Sequence, residues 1–200
     1  MVFGTASHAE CRMTVQPAES SAPAEWLLPD RNSWWYLVRF GPRGFERYIR
    51  IAFHAHDPRW PSPTSPEDEQ PALRQALALL GEHTATPSRA YAAIWEGWTR
   101  GDRPSAPVLP IPNRTMLLFQ GDLTTMRDAP GSAWQGQGRV LQEPHLVWPE
   151  DRSWLVACEV YEEIEFTVGC AEAAADALIG AFGLGARSVT YGENVPLYLS

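Results

Sequence analysis

The stretch TMLLFQGDL, residues 115–123, decides the fold because it carries an uninterrupted apolar run. A short run of this kind is typical of a central strand with both faces buried. Working outward from it, further apolar and alternating segments also predict strands. These segments are YAAIWEGW (91–98), WLVACEV (154–160), IEFTVG (164–169) and ARSVTYGE (186–193).

Two more strands are predicted near the start of the chain. In WWYLVRF, residues 34–40, bulky apolar residues alternate along the segment, and GPRG (41–44) follows as a turn. In YIRIAFHAH, residues 48–56, the odd positions are apolar and the even positions form a second face. We therefore expect a hairpin of 34–40 with 48–56, packed on the core through one face.

Two segments have helical spacing. Leu73, Leu77 and Leu80 form one stripe between Pro71 and Gly81, which predicts a short amphipathic helix. Apolar residues at helical spacing between Ala171 and Phe182 predict a second helix before GLG.

The remaining segments are predicted loops. They are the proline-rich stretch 57–71, the connector 103–112 and the glycine-containing segment 127–147. Residues 1–25 have little apolar periodicity and are predicted to be a mobile leader. Residues 26–200 then form one domain, because 200 residues suffice for one sizeable core.

The strands occur in consecutive groups and do not alternate strictly with helices. This arrangement favours an α+β fold. The expected architecture is a mostly antiparallel central sheet of about six strands with two main helices.

Composition excludes several kinds of chemistry. All sixteen basic residues are arginine, so Schiff-base, Walker-type and kinase lysines are excluded. The net charge of −8 leaves no basic field for a phosphate backbone, so nucleic acid is not an expected partner. Cys11, Cys158 and Cys170 lack paired spacing, and no apolar window is long enough to span a membrane. We expect a cytoplasmic protein with reduced thiols, no membrane contact and no cofactor.

The chain resembles an uncharacterised family of actinobacterial proteins. The resemblance runs through YIRIAFHA (48–55), HTATPSRAYAAIWEGW (83–98), RTMLLFQGDL (114–123) and HLVWPEDRSWLVACEVYEEIEFTVG (145–169). It implies one domain and brings no substrate. Relatives have histidine-proline-alanine where this chain has His54-Ala55-His56, and they tend to have glycine at the position of Cys170.

The first candidate site is a histidine pair. His54 and His56 lie two residues apart on a predicted strand, so both side chains point the same way and could chelate one ion. Two ligands do not make a catalytic metal site, and His56 departs from the family pattern. We therefore expect solvent-facing strand histidines and no metal site, with a metal site at His54 and His56 as the alternative.

Other residues are candidates for catalysis. Cys170 precedes the predicted helix 171–182, where the helix dipole would lower a thiol pKa; the alternative is a small residue that begins the helix. Glu96 lies between Trp95 and Trp98, in surroundings that favour a protonated carboxyl group. The alternative function is a hydrolase that uses His54 with Glu96 or Asp122, with or without the assistance of a metal ion.

The main functional hypothesis rests on the nine tryptophans. Tryptophans and arginines are enriched at protein interfaces, and an acidic protein is suited to mask a basic partner surface. The sequence therefore predicts a non-catalytic binding protein, immunity-like or adaptor-like, that binds a protein or a small ligand; its oligomeric state is left open. Residues assigned to the binding surface are Trp35, Trp60, Trp98, Trp148, Glu150, Asp151 and Arg152.

Within that surface, PED (149–151) predicts a loop tip before the strand that starts near Trp154. Trp154 belongs to the alternating core face, whereas Trp148 lies outside the predicted strand. We therefore expect Trp154 to be buried and Trp148 to be exposed to a ligand.

Overall fold

The computed structural model describes residues 15–53, 71–98, 105–128, 144–160 and 165–193. Within these residues nine strands form one sheet, and every pairing is antiparallel. The α+β class is confirmed, although the sheet is larger than the six strands expected. The strands are β1 (Gln16–Pro17), β2 (Arg47–Ala52), β3 (Ala90–Trp95), β4 (Val108–Ile111), β5 (Arg114–Gly121), β6 (Leu146–Pro149), β7 (Trp154–Ala157), β8 (Glu165–Cys170) and β9 (Arg187–Val189).

The sheet order is β1-β5-β3-β6-β7-β8-β2-β9, and β4 pairs with β5 outside that path. The helices found in the described ranges are α1 (Trp34–Phe40), α2 (Pro71–Leu80), α3 (Leu123–Asp128) and α4 (Glu172–Gly180). Short 3₁₀ segments cover Ala22–Ser33, Gly81–His83 and Glu96–Trp98. None of the helices in this part of the chain is long and apolar enough to cross a membrane.

Both faces of the sheet are covered. Helices α2 and α4 pack on one face in a core that includes Leu77, Trp154 and Leu178. The 3₁₀ segment Ala22–Ser33 and α1 pack on the other face, around Leu37 and Trp148. This explains the uninterrupted apolar run of β5, because its successive side chains point to opposite faces of the sheet. Leu117 and Phe119 pack in the core under α2 and α4, whereas Met116 and Leu118 pack in the core under α1.

The predicted strand at 34–40 is wrong: WWYLVRF forms helix α1. Trp34, Leu37 and Val38 have the spacing i, i+3, i+4, so this short apolar segment satisfies a helical period as well as a strand period. Gly41 ends the helix with φ +78°, and its N–H donates to the Leu37 carbonyl over 2.9 Å. The predicted hairpin is therefore also wrong, and β2 pairs with β8 and β9 instead.

Three strands were missed, and the first of them, β1, lies inside the predicted leader. β4 lies inside the predicted connector 103–112, where Pro110 is tolerated because β4 is at the sheet edge. β6 lies between β3 and β7 in the sheet. Its first two residues belong to the predicted loop 127–147, and its last two follow that loop. A four-residue strand that ends in proline gave too little alternation to be recognised.

The predicted leader extends too far along the chain. Val15 is buried in the first core, β1 pairs with β5, and Ala24 is fully buried in the second core. Residues 15–25 are thus part of the domain, while 1–14 lie outside the described residues.

Other expectations agree with the structure. Helix α2 has the predicted bounds, with Leu73, Leu77 and Leu80 buried. Strands β7, β8 and β9 lie in the segments predicted for them. Helix α4 ends at Gly180, earlier than expected, so Phe182 lies beyond it and is 99% exposed. The predicted loop residues 57–70 lie outside the described ranges.

Candidate functional site

A buried ion pair lies at one end of the sheet. Arg114 begins β5, and its Nε donates to Oε1 of Glu159 over 2.7 Å. The side chain of Glu159 is 1% exposed and that of Arg114 is 12% exposed. A charge pair removed from water to this degree needs good geometry to offset its desolvation, and the short charge-assisted hydrogen bond provides it.

Aromatic rings and a histidine surround this pair. The guanidinium carbon of Arg114 lies 5.4 Å from the ring centroid of Trp34 and 5.5 Å from that of Trp95. The backbone N–H of Trp95 donates to Nδ1 of His145 over 2.9 Å. We call Trp34, Trp95, Arg114, His145 and Glu159 the buried ion-pair cluster.

His145 is neutral in this cluster. Burial, with a further contribution from the nearby Arg114 charge, lowers the pKa of His145 to about 3. Its Nδ1 already accepts a backbone hydrogen bond. The imidazole therefore links the end of β3 to the residue before β6 through this hydrogen bond, and it is a poor general base near neutral pH.

Cys170 does not have the surroundings expected of a nucleophile. It ends β8, and burial raises the pKa of its thiol to about 12 despite the nearby Arg47 charge. Cys170 lies opposite Trp154 across the β7–β8 pairing, and Cys158 follows the other end of β7. Four residues of strand separate the two thiols by about 13 Å, too far for a disulfide.

Glu96 and Asp122 do not form a carboxylate pair. Glu96 follows the end of β3, whereas Asp122 follows Gly121, which pairs with Ala90 at the start of β3. The length of β3 therefore separates them by about 20 Å. Asp122 also has a structural task, since its Oδ1 accepts the N–H of Thr125 over 2.7 Å at the start of α3.

The histidine pair cannot be placed, because His54 and His56 lie outside the described residues. Within the described ranges, no group of three or more histidine, cysteine, aspartate or glutamate side chains could hold a metal ion.

A second cluster of aromatic and arginine side chains lies at the surface. Tyr36 of α1 is 37% exposed and stacks on Tyr191, with ring centroids 6.0 Å apart and an interplanar angle of 27°. The guanidinium carbon of Arg43 lies 5.0 Å from the Tyr191 centroid. We call Tyr36, Arg43 and Tyr191 the tyrosine–arginine surface.

The base of this surface is buried. Phe40 and Tyr48 contact the Tyr191 ring at centroid distances of 5.3 and 5.1 Å. The hydroxyl of Tyr48 donates to the Pro42 carbonyl over 2.8 Å, and that of Tyr191 donates to the Gly41 carbonyl over 3.3 Å. Burial raises the pKa of Tyr191 to about 12 and also raises that of Tyr48. Both hydroxyls are therefore neutral donors that fix the turn after α1.

The turn at residues 191–193 lies close to the ring of Tyr36. Gly192 has φ +85°, and a Cβ added there would lie 3.1 Å from Cε1 of Tyr36. The N–H of Glu193 donates to the Thr190 carbonyl over 2.9 Å, and the Glu193 carboxylate accepts the N–H of Thr190. A glycine thus lets the turn approach the tyrosine ring closely.

Arg43 and Arg152 differ from the arginines that pair with glutamate, because each is exposed, lies over an aromatic ring and takes part in none of the ion pairs among the described residues. The nearby carboxylate of Asp30 accepts the backbone N–H of Arg43 over 3.2 Å instead. Arginines paired with glutamate are Arg47, Arg50, Arg89, Arg114 and Arg187.

The tryptophans assigned to a binding surface have different positions. Trp148 is 0% exposed in β6, so its expected exposure is wrong. Trp35 is partly buried, with the Arg39 guanidinium carbon 4.2 Å from its ring centroid. Trp60 and the side chain of Trp98 lie outside the described residues. Trp154 is fully buried, as expected.

The predicted loop tip is present as the turn between β6 and β7. Glu150, Asp151 and Arg152 are exposed there, but each is held by the domain. Glu150 pairs with Arg89 over 2.8 Å, and the Arg152 guanidinium carbon lies 5.5 Å from the Trp26 ring centroid.

Asp151 organises this turn. Its carboxylate accepts from the Thr84 hydroxyl over 2.8 Å, from the Ala85 N–H over 2.6 Å and from the Ser153 N–H over 3.1 Å. Hydrogen bonds from Ser153, Thr84 and Ala85 outweigh the opposing effect of burial, and they lower the pKa of Asp151. The tip is therefore rigid, while its role in binding stays a prediction.

Comparison with protein-family models, curated proteins and solved structures finds no match. The resemblance to an actinobacterial family therefore stays an expectation. The sequence does not single out Tyr36, Arg43 and Tyr191, because both tyrosines lie in segments whose pattern predicts strands. The available signal was GPRG, whose first glycine ends α1 and places Arg43 in a turn.

Proposed function

We propose that this protein is a non-catalytic, cytosolic binding protein of the immunity or adaptor type, and that it contacts a protein partner through the tyrosine–arginine surface. The observation that carries the proposal is the stacking of half-exposed Tyr36 on Tyr191 beside an exposed arginine. Tyrosine and arginine are, with tryptophan, the residue types enriched at the energetic centres of protein interfaces.

Rigidity of the surface supports this proposal. Side chains that are already fixed lose little conformational entropy on binding. Tyr191 is held by Phe40 and Tyr48 from below and by its hydrogen bond to Gly41. The net charge of −8 adds long-range attraction to a partner with an overall basic surface.

The hydrolase alternative has less support. It needs His54 and a carboxylate to meet, but Glu96 and Asp122 lie at opposite ends of β3 and Asp122 caps α3. The raised pKa of Cys170 and the lowered pKa of His145 likewise disfavour those two groups as a nucleophile and a base.

Site-specific photo-crosslinking tests the proposal. A benzophenone amino acid replaces Tyr36 in one variant and Phe182 in the control, since Phe182 is also an exposed aromatic residue but lies beyond α4. Irradiation of cells of the source organism should give one discrete adduct from position 36 and none from position 182. The adduct's protein component, once purified, should bind the wild-type protein and should bind the Tyr36→Ala variant at least about tenfold more weakly.

Equal crosslinking from both positions, or no adduct from position 36, would contradict the proposed surface. Near-ultraviolet circular dichroism of Tyr36→Ala establishes that the fold is retained. A purified adduct protein that binds wild type and Tyr36→Ala equally would also overturn the proposal.

A further inference from the structure

The guanidinium group of Arg43 is a charged group at the tyrosine–arginine surface. It lies against the Tyr191 ring, at 5.0 Å from the centroid, and is exposed to solvent. The Arg43 side chain also hydrogen-bonds the Tyr191 side chain. A guanidinium group has five N–H donors, so others remain for a ligand, and their geometry matches a carboxylate.

The carboxylate of Asp30 lies close to Arg43 and already accepts a hydrogen bond. Asp30 Oδ2 accepts the Arg43 backbone N–H over 3.2 Å, and ion pairing between Asp30 and the Arg43 guanidinium is not found in the described structure. Glu46, which is close in sequence, accepts the backbone N–H of Glu172 over 2.8 Å. Glu193 interacts with Thr190 and lies 4.0 Å from Arg187.

We infer that the tyrosine–arginine surface recognises a peptide segment that carries an aspartate or glutamate next to an apolar side chain. The carboxylate binds the guanidinium edge of Arg43, and the apolar side chain packs on the exposed part of Tyr36. This inference rests on the proposed function, because it specifies the chemistry of the partner at that same surface.

The overall negative charge of the protein does not oppose this local chemistry. At physiological salt the Debye length is about 8 Å, so distant surface charges are largely screened while a contacting arginine is not. A partner that is basic overall can therefore still supply one carboxylate at Arg43. The charge of the whole chain affects the association rate, and the local pairing affects specificity.

A random library of 12-residue peptides displayed on phage provides the probe. Selection on the immobilised wild-type protein should enrich peptides with aspartate or glutamate beside an aromatic or large aliphatic residue. The selected peptides, made synthetically, are then titrated into wild type and into the Arg43→Ala, Arg43→Lys, Tyr36→Ala and Arg74→Ala variants. Arg74 lies on α2, on the opposite face of the sheet, and is the matched control.

Arg43→Ala should weaken binding at least about tenfold, as expected for loss of a charge-assisted hydrogen-bonded pair. Arg43→Lys should restore part of the affinity, because it keeps the charge but not the two-pronged geometry. Arg74→Ala should bind like wild type. Replacing the peptide's acidic residue with its amide should weaken binding to wild type and have little effect on Arg43→Ala.

The possible failures are distinguishable. Peptides that need Tyr36 but show no acidic enrichment, or that bind Arg43→Ala as wild type, would overturn this inference and leave the proposed surface standing. Peptides that bind Tyr36→Ala and Arg43→Ala as tightly as wild type would contradict both proposals, as would a selection that yields no binding peptide.

Discussion

The buried ion-pair cluster and the tyrosine–arginine surface use the same combination of residues for different ends. In both, an arginine lies over aromatic rings, at 5.4 and 5.5 Å for Arg114 and at 5.0 Å for Arg43. Arg114 has a buried carboxylate from Glu159 at 2.7 Å, whereas Arg43 is exposed and outside the ion pairs of the described chain. An arginine paired with an internal carboxylate stabilises the fold, and we propose that Arg43, which is open to solvent, binds a partner.

The largest expected loss of stability comes from removing buried aromatic side chains, compared with an exposed one. Trp148 and Trp154 are both fully buried, so Trp148→Ala and Trp154→Ala should each destabilise the protein by about 3–5 kcal/mol. Tyr36→Ala should cost about 1 kcal/mol, because Tyr36 is already partly exposed. Urea denaturation of the three variants measures the difference. If Tyr36→Ala cost as much as the tryptophan variants, the surface would have to be treated as core.

This prediction corrects the expectation that Trp148 would matter less than Trp154. The sequence identified Trp154 because it begins an alternating strand, with Val156 and Cys158 in the same core. Trp148 belongs to a four-residue strand that has no such pattern and is recognised only by its pairing with β3 and β7. Burial of Trp148 is thus set by tertiary contacts that local alternation does not encode.

The second prediction tests the buried carboxylate. Glu159→Ala leaves Arg114 without its main carboxylate partner and should destabilise the protein by about 3–5 kcal/mol. Glu172→Ala is the control, because its pair with Arg47 is largely exposed and should contribute less than about 1 kcal/mol. Equal losses of unfolding free energy in the two variants would mean that burial does not increase the contribution of the Arg114–Glu159 pair above that of the Arg47–Glu172 pair.

The third prediction uses pH. Because the pKa of His145 is about 3 when folded and about 6.5 when unfolded, the unfolded state binds more protons between these values. Stability should therefore be complete above pH 6.5 and decrease as the pH falls below it. From pH 6.5 to pH 5 wild type should lose about 2 kcal/mol more than a His145→Asn variant.

Denaturation curves at several pH values check this difference, with His83→Asn as the control for a histidine outside the cluster. Parallel pH profiles for wild type and His145→Asn would show that His145 is not buried as a neutral group.

The smallest expected effect concerns Gly192. Its φ of +85° and the 3.1 Å approach to Tyr36 predict that Gly192→Ala costs about 1–2 kcal/mol. The same change should displace Tyr36 from Tyr191, which a shift of both tyrosine ring resonances in NMR spectra would report. Gly44→Ala provides a comparison, because its φ is +114° but a Cβ there meets no atom within 4 Å. Unchanged tyrosine resonances in Gly192→Ala would contradict the described stacking.

The fold was more predictable than the candidate site for a physical reason. Strands β5, β7 and β8 and helix α2 carry their pattern within a single continuous segment, so periodicity identified them. WWYLVRF is short and almost wholly apolar, and it suited either period. Tyr36 and Tyr191 lie far apart in sequence and meet only because β9 pairs with β2 while α1 packs across the same face. No local pattern in the chain specifies such a contact.

The most direct test of the comparison is the affinity of a Tyr36→Ala/Arg43→Ala double variant for the partner identified by crosslinking at position 36. The double variant should have a free energy of unfolding within about 1–2 kcal/mol of wild type and should bind the partner at least about a hundredfold more weakly. Calorimetric titration of the purified partner into both proteins gives the affinities. Wild-type affinity in the double variant would contradict the assignment of binding to this surface.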